Sequence, residues 1–232
     1  MKIAIICAME EEFLAIVDNL HLKTTVQEYT RLKVDVASYG EHELYLVLCG
    51  IGKVNAAINT QKLLSKVEVD YVVNVGVAGN LVSELDFGDV VIATDLVHHD
   101  MDVTGFGIPL GQVPRMDIFA FASSIKLLHL SENITSNDYK IKHGRIASGD
   151  QFIDNAAKAQ FIQSEFNALA CEMEGAAIAH TCYLNQVPFL IIRSLSDKAG
   201  NEEGRAMHSY EELKDMAAMR ASFVVKELLQ RI

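Results

Sequence analysis

The chain has 232 residues, of which 20 are basic and 31 acidic, giving a net charge of −11. Half of the residues are hydrophobic, which suffices for one substantial core, so we expect one domain over residues 1–232. An acidic surface repels phosphate backbones and anionic lipid, which argues against binding to nucleic acids or membrane surfaces. The sequence has no run of roughly 18 to 20 apolar residues and no Cys-x-x-Cys pair, which favours a reducing, cytoplasmic location.

The first hundred residues alternate between strand-like and helix-like stretches. The strand-like runs are short, apolar and rich in β-branched residues, as expected for buried strands. The helix-like runs place apolar side chains three and four residues apart, on one face. Predicted strands cover 2–8, 32–37, 43–48, 71–77 and 90–97, and predicted helices cover 10–20 and 52–66.

Residues 100–116 contain three glycines and two of the chain's three prolines, which predicts a long ordered loop. Beyond it the alternation resumes. Strands that alternate with crossover helices predict an α/β fold with a mainly parallel or mixed central sheet, flanked by helices on both faces. The remaining predicted elements are helices near 119–130, 155–166, 175–185 and 210–231, strands ending at Ala147 and Cys171, and a strand over 188–193.

The residues that follow each predicted strand form the candidate site, because ligands of such sheets bind beyond the carboxyl ends of strands. They combine glycines, carboxylates, one arginine, one aromatic residue and several apolar residues. This set is typical of a pocket for a small polar ligand that uses acid–base chemistry without a metal. The segments are Met9-Glu10-Glu11-Glu12, Gly50-Ile51-Gly52-Lys53, Gly76-Val77-Ala78-Gly79, Ser148-Gly149-Asp150-Gln151-Phe152, Glu172-Met173-Glu174-Gly175 and Arg193-Ser194-Leu195-Ser196-Asp197.

Each segment also has a purely structural interpretation. Glycines suit tight turns, and 50–55 does not match Gly-x-Gly-x-x-Gly, because Asn55 replaces the third glycine. The glutamates after the first strand suit the first turn of a helix, near the positive end of its dipole. Of Glu172 and Glu174, which flank an apolar residue, we expect one to point inward, where a carboxylate needs a partner.

Two further polar groups also have structural interpretations. His98-His99-Asp100 is a weak candidate for a metal site, since adjacent residues of a strand point to opposite faces. Asp197 could cap a helix, with Arg193 neutralising it. The coincidence of so many polar groups at equivalent strand ends favours a functional site.

Seven segments, in order and over nearly the whole chain, resemble the bacterial 5′-methylthioadenosine/S-adenosylhomocysteine nucleosidases. Such a series is far more specific than any single motif. The segments are IAIICAMEEE (3–12), GIGKVNAA (50–57), GVAG (76–79), DMDVTGFG (100–107) with GQVP (111–114), SGDQFI (148–153), EMEGAAIA (172–179) and RSLSD (193–197).

The resemblance implies a nucleoside-phosphorylase-like α/β fold, a homodimer, and hydrolysis of the ribose–adenine bond without a cofactor. Glu12, helped by Arg193, would deprotonate the attacking water. Asp197 would protonate N7 of the adenine, and Glu174 would bind the ribose hydroxyls. These roles suit the chemistry, because cleavage leaves positive charge on the ribose and negative charge on the departing base. Burial in an apolar pocket should raise the pKa of Asp197 so that it holds its proton.

The resemblance also implies a set of substrate-binding residues. Phe152 would stack on the purine, and the backbone of Ile153 would read its Watson–Crick edge. Met9 and Met173 would pack on the ribose. The residues of the 100–116 loop that would reach the partner's 5′-thio pocket are Val103, Phe106 and Pro114. The other residues expected to line the site are Ile51, Val77, Ala78, Gly79, Glu172, Ser196 and Tyr210.

Three alternatives stay open. A purine nucleoside phosphorylase would share the fold, but where such enzymes place phosphate-binding arginines this chain has Glu10 to Glu12 and Asn74, and acids repel phosphate. The same chemistry could act on 6-amino-6-deoxyfutalosine or 5′-deoxyadenosine, because 76–82 and 108–110 are similar to segments of some dual-use relatives. A purine-binding protein without activity is disfavoured, because all the expected catalytic carboxylates are present.

The stretch 198–210 departs from the family pattern. It is longer than expected, and Ser209-Tyr210 stand where the family often has Ser-Phe bordering the ligand. Its two glycines suit a movable lid. The tolerance of the site for bulky 5′ groups therefore stays open.

Overall fold

The computed structural model describes residues 1–29, 31–199 and 205–232, and within 205–209 the backbone only. Strands and helices alternate along this part of the chain. The strands are β1 (Lys2–Cys7), β2 (Thr25–Tyr29), β3 (Leu32–Tyr39), β4 (His42–Leu48), β5 (Tyr71–Asn80), β6 (Val90–His98), β7 (Phe121–Ala122), β8 (Ile141–Ser148), β9 (Ala168–Glu172) and β10 (Phe189–Lys198). The helices are α1 (Glu10–Asn19), α2 (Lys53–Leu64), α3 (Ile125–Ser131), α4 (Ala156–Phe166), α5 (Gly175–Asn185) and α6 (Arg205–Leu229).

The strands belong to one mixed sheet in the order β10-β6-β8-β9-β5-β1-β4-β3-β2, with β7 paired to β6. Strands β4, β1, β5 and β10 run parallel to one another. Strands β6, β8 and β9 run in the opposite direction. The prediction of an α/β fold with a mixed sheet is confirmed.

Five of the strands close into a ring, because β10 pairs with β5 as well as with β6. Along the β5–β10 pair, Gly76 lies opposite Arg193. β9 crosses the end of β5 in the antiparallel sense, with Cys171 opposite Gly79. The carboxyl ends of strands from both directions therefore meet at one place, which is where α/β sheets bind ligands.

Helices cover both faces of the sheet. Alternate residues of a strand point to opposite sides, so Ile3 and Ile5 of β1 pack into the core cluster that α1 and α6 cover. Ala4 and Ile6 pack into the other cluster, which α2 and α5 cover. Burying one isoleucine side chain contributes roughly 1.5 to 3 kcal/mol. The continuous apolar runs of the sequence are thus interior strands of the sheet, which are buried on both faces.

The helix predicted near 119–130 begins later, at Ile125. Phe121 and Ala122 instead form β7 and pair with β6. Ser124 caps the helix, since its side chain accepts a hydrogen bond from the Leu127 N–H at 3.4 Å. Sheet pairing of Phe121 and Ala122 therefore overrides their fit to a helical pattern.

Other boundaries differ because tertiary pairing extends or creates elements. Strand β2 was not predicted, since most of its residues are exposed and antiparallel pairing with β3 holds it in place. Strands β5 and β10 run past 77 and 193, because they continue to pair with each other up to Asn80 and Lys198. Helix α6 begins at Arg205 rather than near 210.

The predicted loop over 100–116 holds a single short 3₁₀ turn, Thr104–Phe106, in the described chain. Of the stretch 198–210, predicted to act as a lid, residues 200–204 and the side chains of 205–209 lie outside the described residues. None of the described helices combines the length and the apolar composition needed to cross a membrane.

Candidate active site

A cavity of about 350 Å³ opens where the carboxyl ends of β1, β5, β9 and β10 converge. It brings together most of the residues that the sequence predicted from separate strand ends. The predicted residues that line it are Met9, Glu12, Ile51, Val77, Ala78, Gly79, Phe152, Ile153, Glu172, Met173, Glu174, Ser196, Asp197 and Tyr210. Gln151, from a predicted strand-end segment, also lines it, and the lining residues that the prediction missed are Ala8, Cys171 and Glu211.

Glu12 folds back from the first turn of α1 into the cavity wall. Its Oε2 accepts hydrogen bonds from the Ala8 N–H at 2.9 Å and the Met9 N–H at 3.0 Å. Its Oε1 accepts one from the Val77 N–H at 3.0 Å. Burial raises the pKa of Glu12, against the lowering effects of Arg193 and of these N–H groups. Of the three glutamates in this turn, this one is buried and held in place, which exceeds the role of a helix-end charge.

Arg193 lies fully inside the protein, on β10, and is 1% exposed. Its Nη2 donates to Glu172 Oε2 at 2.5 Å and to Asn74 Oδ1 at 2.7 Å. Its Nη1 has no hydrogen-bond partner among the described residues. A Cβ at Gly76 would collide with Oε1 of Glu12 and lie 2.8 Å from this Nη1. The absence of a side chain at Gly76 thus lets a carboxylate and an unpaired donor both pack close to the β5 backbone, and the unpaired donor can bond a small polar ligand.

Glu172 and Glu174 are both buried, so the structure holds two inward carboxylates where the local pattern predicted one. Arg193 makes this possible, since its charge lies near both carboxylates. Glu172 is held on all sides, by Arg193, by the Ser148 hydroxyl, and by the N–H groups of Glu174 at 3.0 Å and Gly175 at 2.7 Å. Its pKa is lowered, because these partners outweigh its burial.

Glu174 faces the cavity and has a different environment. Its Oε1 accepts the Gly52 N–H at 2.8 Å, and its Oε2 lies 3.8 Å from Nη2 of Arg193. Burial, followed by the nearby charge of Glu172, raises the pKa of Glu174. The pKa values of the two neighbouring glutamates are therefore shifted in opposite directions. The lowered pKa of Glu172 favours its ionised form, and the raised pKa of Glu174 favours its protonated form.

Asp197 stands at a bulge in β10, where the pairing with β5 shifts by one residue. Its Oδ1 accepts a hydrogen bond from the Ser196 hydroxyl at 2.9 Å. A Cβ at Gly79 would lie 3.2 Å from its Oδ2. Burial raises the pKa of Asp197 to about 6, against the lowering effect of Ser196. This carboxyl group can therefore carry a proton in weakly acidic to neutral solution.

The cavity walls are largely apolar. The Tyr210 hydroxyl lies 2.9 Å from the Met9 sulfur, and the rings of Tyr210 and Phe152 meet edge-on with their centres 5.9 Å apart. Such walls exclude bulk water and strengthen electrostatic interactions inside. Four predicted residues are absent from the walls of their own chain's described cavity: Arg193, which lies behind Glu172 and Glu174, and Val103, Phe106 and Pro114.

The consecutive histidines do not converge. The His98 ring packs on Phe121 and His180, whereas His99 packs against Gly149. Within the described ranges, the histidine, cysteine and acidic side chains form no group of three that could hold a metal ion.

Asn74 and Ser148 position the buried charges, a role that the sequence analysis did not assign to either. Asn74 joins β5 to its neighbours by accepting from Arg193 and donating to the Ile6 carbonyl at 2.8 Å. Ser148 donates to Glu172 and accepts from the Ala176 N–H at 2.7 Å. A polar residue inside an otherwise apolar strand is the signal that could have identified Asn74.

Comparison with known proteins agrees with this geometry. The family model of the phosphorylase superfamily matches residues 2–230. A 5′-methylthioadenosine/S-adenosylhomocysteine nucleosidase of Geobacillus sp. (strain WCH70) is 40% identical over 235 residues, which cover 100% of this chain and 99% of the relative.

Solved structures give the same result. The Neisseria meningitidis 5′-methylthioadenosine/S-adenosylhomocysteine nucleosidase in complex with methylthio-immucillin-A is 35% identical, with a TM-score of 0.93 and coverage of 100% of this chain and 99% of that one. Futalosine hydrolase of Helicobacter pylori strain 26695 is 31% identical, with a TM-score of 0.93 and coverage of 100% and 98%. With its full-length match to the family model and to relatives of this identity, the chain belongs to the 5′-methylthioadenosine/S-adenosylhomocysteine nucleosidases of the phosphorylase superfamily.

Proposed function

We propose that the chain is an N-glycosyl hydrolase that releases adenine from 5′-methylthioadenosine and S-adenosylhomocysteine and leaves the thioribose product. The observation that carries the proposal is the meeting of two buried carboxyl groups, Glu12 and Asp197, in one cavity. They reach it from different strand ends, and each has a raised pKa because of burial. Such a pair can serve a water on one side of a bound nucleoside and the base on the other.

Glu12 is the proposed general base. Its Oε1 and the unpaired Nη1 of Arg193 both come close to Gly76, so a water that contacts these two groups would meet both a proton acceptor and a donor. Burial raises the pKa of Glu12, whereas the positive charge of Arg193 favours its ionised form. A base poised in this way can accept a proton as the water attacks the sugar carbon.

Asp197 is the proposed general acid. Because Oδ1 accepts from the Ser196 hydroxyl, the proton is directed to Oδ2, beside Gly79. Transfer of that proton to N7 lets adenine depart as a neutral molecule instead of an anion. The raised pKa keeps a useful protonated fraction near neutral pH.

The sugar side of the proposal rests on the paired glutamates. Glu174, facing the cavity, would bond the ribose hydroxyls, and the positive charge that develops on the sugar in the oxocarbenium-like transition state would favour its ionised form. Glu172 has its oxygens engaged by the protein, so we propose that it contributes to substrate binding by holding Arg193 and the backbone at Glu174.

The remaining predicted contacts are apolar or come from the backbone. Phe152 is 40% exposed and free to lie on a purine, and Ile153 follows it in the cavity wall. Met9 and Met173 would pack on the ribose. The other residues proposed to line the bound nucleoside are Ile51, Val77, Ala78, Gly79, Ser196 and Tyr210.

Product analysis tests the reaction class. We expect purified protein to convert 5′-methylthioadenosine to adenine and free methylthioribose at a rate that does not depend on phosphate. The reason is that Glu12, Glu172 and Glu174 surround Arg193 and would repel a phosphate nucleophile. Chromatography of products formed with and without phosphate gives the answer. A phosphorylated sugar product, or an unchanged nucleoside, would contradict the proposal.

The same assay addresses the second substrate class. A futalosine hydrolase is among the structural neighbours, with a TM-score of 0.93 and 31% identity. The nucleosidase of Neisseria meningitidis named for methylthioadenosine has the same TM-score and a higher identity of 35%. We therefore place 6-amino-6-deoxyfutalosine and 5′-deoxyadenosine second. Comparison of kcat/KM for these nucleosides with that for 5′-methylthioadenosine ranks them directly.

We also infer that a second copy of the chain completes the site. Phe106 is 87% exposed and, like Val103 and Pro114, lies away from its own described cavity. Val54 and Ile58 of α2 are 66% and 47% exposed and continue an apolar face from Ile51 at the cavity. Such a face suits burial between subunits. Sedimentation equilibrium should give twice the chain mass of 25.6 kDa; a stable monomer would argue against a shared site.

A cytoplasmic location and one domain over 1–232 are part of the same proposal. The four cysteines are free and buried, which suits a reducing compartment. A shared sheet that links both ends of the chain supports treating it as one folding unit.

A further inference from the structure

The amino end of α2 is capped by carboxylates that come from distant parts of the chain. Its cap residue is Gly52, which has no side chain to bond the free N–H groups, and its first turn contains no acidic residue. The Gly52 N–H donates to Glu174 Oε1 at 2.8 Å, and the Lys53 N–H donates to Asp150 Oδ1 at 2.8 Å. One helix end therefore holds both the proposed ribose-binding carboxylate and the segment after β8. The positive end of the helix dipole favours both carboxylates.

A closed set of contacts fixes Asp150 in turn. Its own N–H donates to Asp100 Oδ2 at 3.0 Å. Oδ1 of Asp100 pairs with the Lys53 ammonium at 2.5 Å, and these two side chains are only 23% and 18% exposed. Asp150 is thus bonded through its backbone to Asp100 and through its side chain to the helix that carries Lys53. Partly shielded pairs of this kind are worth more than exposed ones.

The segment that Asp150 anchors is the part of the wall that faces the purine. Gln151, Phe152 and Ile153 follow it directly and line the cavity. Before it, Gly149 is tied to β9 by a backbone bond to the Glu172 carbonyl at 3.0 Å. Asp150 is therefore the next anchor of this segment after Gly149, and it ties the segment to α2 rather than to the sheet.

We propose that Asp150, supported by Asp100 and Lys53, is a positioning residue that sets the purine-facing segment 151–153 at a fixed distance from the ribose carboxylate Glu174. The inference rests on the proposed function, because it assigns the purine to this part of the cavity. Neither Asp150 nor Asp100 touches the cavity among the described lining residues, so both act through the backbone that they hold.

Product inhibition separates positioning from general stability. Adenine probes the purine side alone, and methylthioribose probes the ribose side alone. For Asp150→Ala we expect the inhibition constant of adenine to rise on the order of tenfold, the change for one lost charge-assisted hydrogen bond. The inhibition constant of methylthioribose should change less than about twofold, since Glu174 keeps its bond to Gly52. Asp150→Asn retains an acceptor for the Lys53 N–H and should restore most of the affinity.

Asp154 offers a matched control, because it is an exposed acid on the same segment. Asp154→Ala should leave both inhibition constants unchanged, and Asp100→Asn should fall between the control and Asp150→Ala. Thermal unfolding of each variant, with assays run well below Tm, keeps partial unfolding out of the comparison. An unchanged adenine constant in Asp150→Ala, or an equal rise for both products, would overturn the inference. An inactive wild-type protein would instead contradict the proposed function.

Discussion

Replacing Asp197 with asparagine is expected to lower kcat for 5′-methylthioadenosine by about a thousandfold, within the range that a lost general acid costs. Asparagine keeps the shape of the side chain and an oxygen to accept from the Ser196 hydroxyl, so the cavity should persist. What it lacks is a proton that can be transferred to N7. Steady-state kinetics should show the loss mainly in kcat, and a variant with near-wild-type kcat would remove Asp197 from the proposed role.

The pH dependence of stability provides an independent control for this variant. The pKa of Asp197 is raised to about 6 in the folded protein, against an ordinary value of about 3.9. Folding therefore favours the protonated form. The contribution of Asp197 to the free energy of unfolding is fully present below about pH 4 and is lost as the pH rises through 6. At pH 7 the ionised carboxylate costs up to roughly 3 kcal/mol. Asp197→Asn should thus unfold at a higher temperature than wild type at pH 7, with the two converging near pH 4.

Replacing Glu12 with glutamine is the second change with a large expected effect, again about a thousandfold in kcat. An amide cannot take the proton from a water held near Nη1 of Arg193. It also turns an NH₂ group toward one of the backbone donors at Ala8, Met9 or Val77, which leaves a buried donor unpaired. We expect a stability loss of about 1 to 3 kcal/mol for that reason, with the fold retained.

Glu10 supplies the matched control for Glu12, since it lies in the same helical turn but is exposed. Glu10→Gln should leave kcat and Tm unchanged. Equilibrium binding of 5′-methylthioadenosine to Glu12→Gln should persist, because the apolar walls and Glu174 remain. If Glu12→Gln turned over substrate at the wild-type rate, the base would have to be sought elsewhere in the cavity.

The sequence predicted the strands and the site better than it predicted how they meet. Buried strands are recognised by continuous apolar runs, and most of the glycines and acids predicted at their ends line one cavity in the structure. The ring closure of β5 with β9 and β10 has no local signal, because it depends on pairing between residues about 90 and 120 positions apart. The local pattern at Glu172 and Glu174 predicted one inward carboxylate; burial of both depends on Arg193, whose charge comes near them only after that closure.

Local patterns also misplaced elements held by partners. Strand β2 lacks an apolar run and exists through its pairing with β3, and the start of α3 was displaced by the pairing of Phe121 with β6. The contacts among Asp100, Lys53 and Asp150 could not be predicted from the sequence. All three are unremarkable surface-type residues until three separate segments are brought together.

The ring of five strands, formed by β5, β6, β8, β9 and β10, has a mechanical consequence for turnover. In an open sheet, two halves can splay apart and loosen whatever lies between them; within these described strands every member of the ring is bonded on both sides. We therefore expect the ring to hold Arg193, Asp197 and Glu172 in place while nucleosides enter and products leave. Side chains of the cavity wall such as Phe152 and Tyr210 can move without any change in the strands, so we expect them to admit the nucleoside while the acid and the base stay aligned.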